Sequence, residues 1–151
     1  MRERIFAFAF AFVFCGALTL VTVGSISAQK TLPNPVLVFG GQEYYTASGG
    51  DFIRYRYFVF NSTAYPDAIF AAAPALPPCG LNTNASRTWV DLFDQSGKRL
   101  NGFCALTKAD DLNSIWFALP VGQIPPSYIY IEMNDRQTNT KYKSNLADTT
   151  M

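Results

Sequence analysis

The segment "SYIYIEMND", residues 127–135, carries the plainest β-strand pattern of the chain and decides the fold class. Its side chains alternate with a period of two, which places one set on each face of a sheet. We expect Ile129, Ile131 and Met133 to face inward and Tyr128, Tyr130, Glu132 and Asn134 to face outward. The segment therefore predicts a strand that covers a hydrophobic core with one face.

Six more segments are rich in aromatic and β-branched residues and are separated by clusters of Gly, Pro, Asn and Asp. This composition is typical of strands joined by turns. The predicted strands are 35–47, 51–62, 87–94, 98–106, 114–120 and 140–147. We expect a kink at Gly40-Gly41. In the second strand we expect Tyr55 and Tyr57 in the core and Arg54 and Arg56 on a solvated face.

About seven short strands with turn signals between them indicate an all-β protein with a single β-sandwich domain. The chain shows no sustained helical period outside its first residues, and no internal repeat. The one helical hint is "PDAIFAAA", residues 66–73, where Asp67 is a candidate cap of a short turn.

The stretch "SIWFALPVGQIPPSYIYIEMND", residues 114–135, resembles the end of a fibronectin type III domain. The matching residues are Leu119, Pro125, Pro126, Tyr128, Ile129, Ile131 and Asn134. The resemblance covers 114–147 and implies an immunoglobulin-like or fibronectin type III-like sandwich, with Trp89 as the buried tryptophan of the third strand. Two features depart from the family: a disulfide is expected here, and the connection between the second and third strands is much longer.

The first residues, "MRERIFAFAFAFVFCGALTLVTVGSISAQ", have the order of a secretory signal peptide: a positive start, an apolar run and then small residues. We expect cleavage after Ala28, so that residues 1–28 are the signal, 29–147 the sandwich domain and 148–151 a polar tail. The alternative is an uncleaved membrane anchor, because the apolar run is nearly long enough to span a bilayer. Cleavage leaves no stable membrane insertion and predicts a secreted protein, either extracellular or periplasmic.

Two cysteines, Cys79 and Cys104, remain after the signal. An even pair in a secreted chain favours a disulfide. A thiolate nucleophile requires a base, usually histidine, and the chain has no histidine. Two cysteines also cannot supply the three or four ligands of a zinc site. We therefore expect a bridge between Cys79 and Cys104, worth roughly 3–4 kcal/mol by loop-closure entropy.

Charge and motifs argue against several functions. Without Arg2, Glu3 and Arg4 the chain carries 10 basic and 10 acidic residues, so the electrostatic attraction on which nucleic-acid binding depends is missing. No serine-triad motif and no glycine-rich phosphate loop is present. The carboxylates lack the spacing of the helix–loop–helix calcium site. We expect no enzymatic activity, no catalytic residue, no cofactor and no bound metal.

The connection 61–86 is far longer than the usual link of about 4–6 residues. It is apolar and rich in proline. It either packs over one end of the sandwich or presents an apolar surface to a partner. Packing places Ile69, Phe70 and Leu76 beneath the loop. Recognition makes Tyr65 and Phe70 candidate partner-binding residues. We expect Phe70 to be buried and Tyr65 to lie nearer the surface.

The sequence thus predicts a secreted, non-enzymatic binding or interaction module whose partner is a protein or a glycan. One alternative is a small extracellular enzyme inhibitor that presents its loops to a target. Another is a carbohydrate-binding module, with a platform built from exposed aromatic side chains. The candidate platform residues are Tyr44, Tyr45, Trp116 and Tyr130.

Overall fold

The computed structural model describes residues 31–47 and 49–149, which form eight strands joined by turns and loops. The strands are β1 (Leu37–Ala47), β2 (Gly50–Val59), β3 (Thr88–Asp94), β4 (Arg99–Phe103), β5 (Ile115–Pro120), β6 (Tyr128–Asp135), β7 (Thr140–Lys143) and β8 (Ala147–Asp148). Three short 3-10 turns lie between them, at Ser62–Ala64, Asp67–Ile69 and Ala109–Ser114. The predicted signal peptide and its cleavage site lie outside the described residues.

The strands form two antiparallel sheets. In the three-stranded sheet, β2 lies between β1 and β5. In the five-stranded sheet, β3 lies between β4 and β6. Two short strands, β7 and β8, both pair with the other edge of β6. β7 pairs with 132–135 and β8 pairs with 128–129.

The two sheets pack face to face around one hydrophobic core. The period of two puts the buried side chains of each strand on one face. The three-stranded sheet contributes Leu37, Tyr55, Tyr57, Val59, Ile115 and Phe117, and the five-stranded sheet contributes Val90, Leu92, Ile129, Ile131 and Met133. Tyr55 stacks on Phe117 with ring centroids 5.0 Å apart. Burial raises the pKa of Tyr57 to about 12.

Two asparagine side chains join the sheets at their lateral edges. Asn145, just before β8, accepts a hydrogen bond from the Leu37 N–H and donates one to the Leu37 carbonyl, at 2.8 and 3.0 Å. Its amide thus takes the place of a neighbouring strand for the first residue of β1. On the other side, Asn101 in β4 donates to the Trp116 carbonyl in β5 at 2.8 Å.

The predicted strands are confirmed in type and order, and most of them are shorter than expected. β1 has the expected irregularity at Gly40-Gly41, where the register with β2 shifts. Gly41 has a φ of 109°, which favours glycine. In β6 the predicted inward residues are fully buried.

The predicted strand 140–147 is two strands. At Ser144 the hydroxyl, rather than a backbone carbonyl, accepts the hydrogen bond from the Ile131 N–H, so the regular ladder stops. The chain then resumes pairing at β8. Asp148 and Thr149, expected in a polar tail, instead continue the ordered edge: Asp148 pairs with Tyr128, and the buried Thr149 donates its N–H to the Ser127 carbonyl.

The disulfide between Cys79 and Cys104 is present and fastens the connection 61–86 to the end of β4. The connection packs against the sandwich, because Ile69 and Phe70 are buried in the core. Asp67 does not cap its turn. Its carboxylate accepts a hydrogen bond from the Ala109 N–H at 2.8 Å, which ties the loop to the connection before β5.

The expected surface position of Tyr65 is wrong. Its side chain is buried, and its hydroxyl donates to the Pro33 carbonyl at 2.7 Å. Burial raises its pKa to about 12. The segment before β1 supplies this hydrogen-bond acceptor 32 residues away, so the local sequence around Tyr65 gives no sign of it.

The expected core position of Trp89 is also wrong. In β3 the buried residues are Thr88, Val90 and Leu92. The alternation therefore places Trp89 on the side of the five-stranded sheet that is turned away from the core. There the guanidinium of Arg136 lies 3.9 Å from the centre of its ring. Arg136 also donates to the carbonyls of Pro77 and Ser86, so it fastens the end of the long connection over the tryptophan.

Within the residues described, no helix has the length and apolar character needed to cross a membrane.

Candidate binding surface

The outward side of the three-stranded sheet, which we call the outer face, is unusually apolar for a solvent-facing sheet. Alternation along β2 sends Tyr55, Tyr57 and Val59 into the core and the intervening side chains outward. The outer face consists of Val36, Val38, Glu43, Tyr45, Phe52, Arg54, Arg56, Phe58, Phe60, Trp116 and Ala118. An antiparallel sheet with one solvated face normally carries polar residues there.

The apolar residues of the outer face lie at both ends of the sheet. At one end Val38 is opposite Phe58, and Phe60 donates its backbone N–H to the Val36 carbonyl. Phe60 is 73% exposed and Val36 42% exposed. At the other end Tyr45 is opposite Phe52. No other element described in 31–47 or 49–149 is hydrogen-bonded over this face.

A continuous stack of flat groups crosses the outer face. Tyr45 stacks on Phe52 with ring centroids 5.6 Å apart and an interplanar angle of 23°. The Arg54 guanidinium lies between Tyr45 and Trp116, 4.7 Å from the centre of each ring. Tyr45 and Trp116 thus each turn a ring face toward the same guanidinium. Cation–π contacts of this kind hold the arginine in place. Trp116 also makes a T-shaped contact with Phe103 of β4, with ring centroids 6.4 Å apart.

The centre of the outer face carries three charges. Glu43 accepts a hydrogen bond from Arg54 at 2.6 Å and a longer one from Arg56 at 3.5 Å. Two guanidinium groups therefore share one carboxylate. The Arg56 side chain is 55% exposed, whereas the Arg54 Nε atom is buried and has no hydrogen-bond partner among the described residues. The cluster has more donors than acceptors.

A groove of about 350 Å³ lies at the tip of the β1–β2 hairpin, beside the apolar end of the outer face. It is lined by Tyr44, Tyr45, Thr46, Asp51, Phe52 and Val121. The Thr46 hydroxyl donates to the Asp51 carboxylate at 2.7 Å. Tyr44 is 69% exposed, so its ring is free to contact a ligand.

The predicted carbohydrate platform does not form as one surface. Tyr45 and Trp116 lie together on the outer face, joined through Arg54. Tyr44 lines the groove at the hairpin tip. Tyr130 is in the other sheet and is only 8% exposed, because it stacks on Phe93 at 5.3 Å and the Lys143 ammonium lies 4.0 Å from its ring centre.

The two predicted partner-binding residues, Tyr65 and Phe70, are not available on the surface. Tyr65 is 3% exposed and Phe70 is fully buried. Their burial follows from the packing of the long connection against the core, and it corrects the recognition hypothesis for these two positions. The expected burial of Phe70 is confirmed.

Sequence reasoning missed the apolar end of the outer face. The run "YFVF", residues 57–60, is apolar at inward and outward positions alike. In a strand of a two-layer sandwich, such a run places Phe58 and Phe60 on the outside. This departure from alternation is the sequence signal for apolar side chains on the outer face. It directly follows the regular tyrosine–arginine alternation of 54–57, which predicts a polar outer face.

No group of three or more His, Cys, Asp or Glu side chains arranged to hold a metal ion occurs in the part of the chain that the structure describes. The outer face itself offers aromatic rings, apolar side chains and guanidinium groups. These groups bind and orient, and none of them is placed as a nucleophile beside a base.

No protein-family model matches the chain, and comparisons with curated proteins and with solved structures give no significant match.

Proposed function

We propose that this protein is a secreted, non-enzymatic binding module that binds another protein through the outer face of its three-stranded sheet. The observation that carries the proposal is the apolar, aromatic and arginine-rich composition of a sheet face that no described element is paired over. Interfaces between proteins are enriched in Tyr, Trp, Phe and Arg, and residues of these types contribute most of their binding energy.

The ring geometry favours a protein over a sugar as the ligand of the outer face. A flat sugar-binding platform needs ring faces that are open to solvent. Here the faces of Tyr45 and Trp116 are turned toward Arg54. Exposed apolar side chains and guanidinium donors suit the mixed surface of a protein.

The inhibitor alternative requires a long loop that is presented to a target. The longest loop, residues 61–86, is instead packed against the sandwich. Residues 61–86 are held by the disulfide, by Asp67 and by Arg136. The glycan alternative keeps one supporting observation, the groove at the hairpin tip, where Tyr44 is exposed beside Asp51 and Thr46.

We also propose that the domain is immunoglobulin-like or fibronectin type III-like. Strands 1, 2 and 5 share one sheet and strands 3, 6 and 7 the other, as in the immunoglobulin scheme of A, B, E and C, F, G. The fourth strand here pairs with the third instead of joining the first sheet. The disulfide also differs, since it links the long connection to the end of β4.

The test is capture of secreted and envelope proteins on the immobilised mature domain, with Phe60→Ser as the outer-face variant. We expect Phe60→Ser to lose a partner that the parent domain retains. The matched control is Leu81→Ser, which changes an equally apolar and fully exposed side chain on the long connection. A partner retained by Phe60→Ser and lost by Leu81→Ser would contradict the assignment of the face. A glycan array with Tyr44→Ala tests the groove.

A further inference from the structure

The outer face carries a net positive charge at its centre. Arg54 and Arg56 contribute two positive charges and Glu43 one negative charge. Glu43 makes its short contact with Arg54, at 2.6 Å, and reaches Arg56 only at 3.5 Å. Arg54 also has an unpaired Nε atom, but that atom is buried. Arg56 is thus the cation whose unused donors an incoming partner can reach, because more than half of its side chain is open to solvent.

The position of this charge constrains what can cover the face. Along the sheet, Val38 and Phe58 lie on one side of Arg56, and Tyr45 and Phe52 lie on the other. A partner that buries both apolar ends must also bury the guanidinium between them. Burying an ion without a counter-ion is costly, whereas a charge-assisted pair with a carboxylate compensates much of that cost.

This inference rests on the proposed function. We infer that the partner is a different protein that places one carboxylate, from Asp or Glu, among apolar side chains. That carboxylate pairs with Arg56. Arginine and carboxylate groups match in bidentate geometry, which adds orientation to the contact. The apolar neighbours of that carboxylate pack on Phe58 and Phe60 on one side and on Tyr45 and Phe52 on the other.

A second copy of this chain does not meet this requirement. A two-fold interface places the same patch against itself. Two outer faces bring four guanidinium groups and two carboxylates together, so the excess positive charge is doubled rather than neutralised. A membrane surface fits poorly for another reason. The charges lie between two apolar ends instead of at a rim, so insertion of the apolar residues would dehydrate them.

The experiment selects short random peptides displayed on phage against the immobilised mature domain. We expect the enriched peptides to contain Asp or Glu flanked by apolar residues. Selection on Arg56→Glu should instead enrich Lys or Arg at that place. Peptides selected on the parent domain should bind Arg56→Glu about 30-fold more weakly or worse, which is the lower range for loss of a buried charge pair. Arg56→Gln serves as a milder second variant.

The matched control is Arg99→Glu. Arg99 is 59% exposed and is paired with Asp91 on the other sheet, so its reversal should leave the acidic preference unchanged. Peptides that lose binding to Phe60→Ser but show no acidic preference would overturn this inference and leave the proposed function standing. Peptides unaffected by Phe60→Ser, or no enrichment at all, would overturn the proposed function itself.

Two further measurements identify the competing occupants. A dimer in sedimentation equilibrium that Phe60→Ser abolishes would replace the heterologous partner with a second copy. Co-sedimentation with phosphatidylserine–phosphatidylcholine vesicles that Phe60→Ser abolishes would replace it with a membrane surface. We expect neither result.

Discussion

The Arg87–Asp135 pair shows how a single buried charge is accommodated at the end of the five-stranded sheet. Arg87 donates from Nε and Nη2 to the two carboxylate oxygens, at 2.8 and 2.5 Å. Burial alone would raise the pKa of Asp135, but hydrogen bonds from Arg87, Thr138 and Gln137 outweigh it and lower the pKa to about 2. The charged carboxylate is therefore the form that the fold stabilises.

This shift predicts the acid sensitivity of the fold. Because the folded pKa lies below the unfolded one, the stabilisation is complete above about pH 4 and is lost as the pH falls toward 2. Asp135→Asn should cost about 2 kcal/mol near neutral pH. The cost should shrink between pH 4 and 2, because the parent protein loses the same contribution. Urea unfolding of both proteins at several pH values measures this.

The control for that experiment is Asp91→Asn, which removes a more exposed ion pair with Arg99. Pairs of this kind contribute less than about 1 kcal/mol. A cost for Asp91→Asn equal to that for Asp135→Asn would show that burial does not distinguish the two pairs.

Phe70 gives the second prediction at this scale. Its ring is fully buried beneath the long connection, so Phe70→Ala should lower the free energy of unfolding by roughly 3–5 kcal/mol. Leu81→Ala, at a fully exposed position of the same connection, should change it by less than about 0.5 kcal/mol. Denaturant melts decide the matter. An unchanged midpoint for Phe70→Ala would mean that the connection does not pack on the core.

Among the elements, the long connection is held by the bridge from Cys79 to the end of β4. The cysteines lie 25 residues apart, and loop-closure entropy gives the bridge about 3.5 kcal/mol. Thiol titration of the denatured, unreduced mature protein should find no free thiol. Replacing both cysteines with serine should lower stability by about that amount. Two titratable thiols would contradict the bridge.

The strands could be predicted from sequence because their signal is local. Alternation within 127–135 sufficed to place Ile129, Ile131 and Met133 in the core. The division of 140–147 into two strands depends on Ser144 contacting Ile131, and the burial of Tyr65 depends on Pro33. Such contacts join residues distant along the chain, and local patterns do not encode them. Hence the core-facing residues predicted for β2 and β6 could be read from local alternation, whereas the burial of Tyr65 could not.

For the whole molecule, the predicted signal peptide leads to a further prediction. We expect the exported protein to begin at Gln29, because small residues follow the apolar run up to Ala28. Intact-mass measurement of the exported protein tests this. A full-length chain recovered from the membrane fraction would favour the anchor alternative instead.

The candidate site could be predicted only in part, because a surface is a property of the assembled sheet. The sequence predicts Tyr45 and Trp116 as aromatic residues that a ligand could use, and they do share one face. Their stacking on Arg54 depends on how β1, β2 and β5 are placed in register, which the composition of each strand does not reveal. The predicted exposure of Tyr130 is wrong because the residues that cover it, Phe93 and Lys143, come from neighbouring strands.

The asparagine that closes the β1 edge has a consequence for the order of folding. Asn145 and Leu37 lie 108 residues apart. During synthesis β1 is therefore made long before the asparagine that pairs with its first residue. Closing so long a loop costs entropy before the contact stabilises anything, so we expect this contact to form after the rate-limiting step. Asn145→Ala should therefore speed unfolding about tenfold and leave the folding rate nearly unchanged in stopped-flow measurements. A slower folding arm would place this contact in the folding nucleus, and folding would then wait until Asn145 is available to pair with β1.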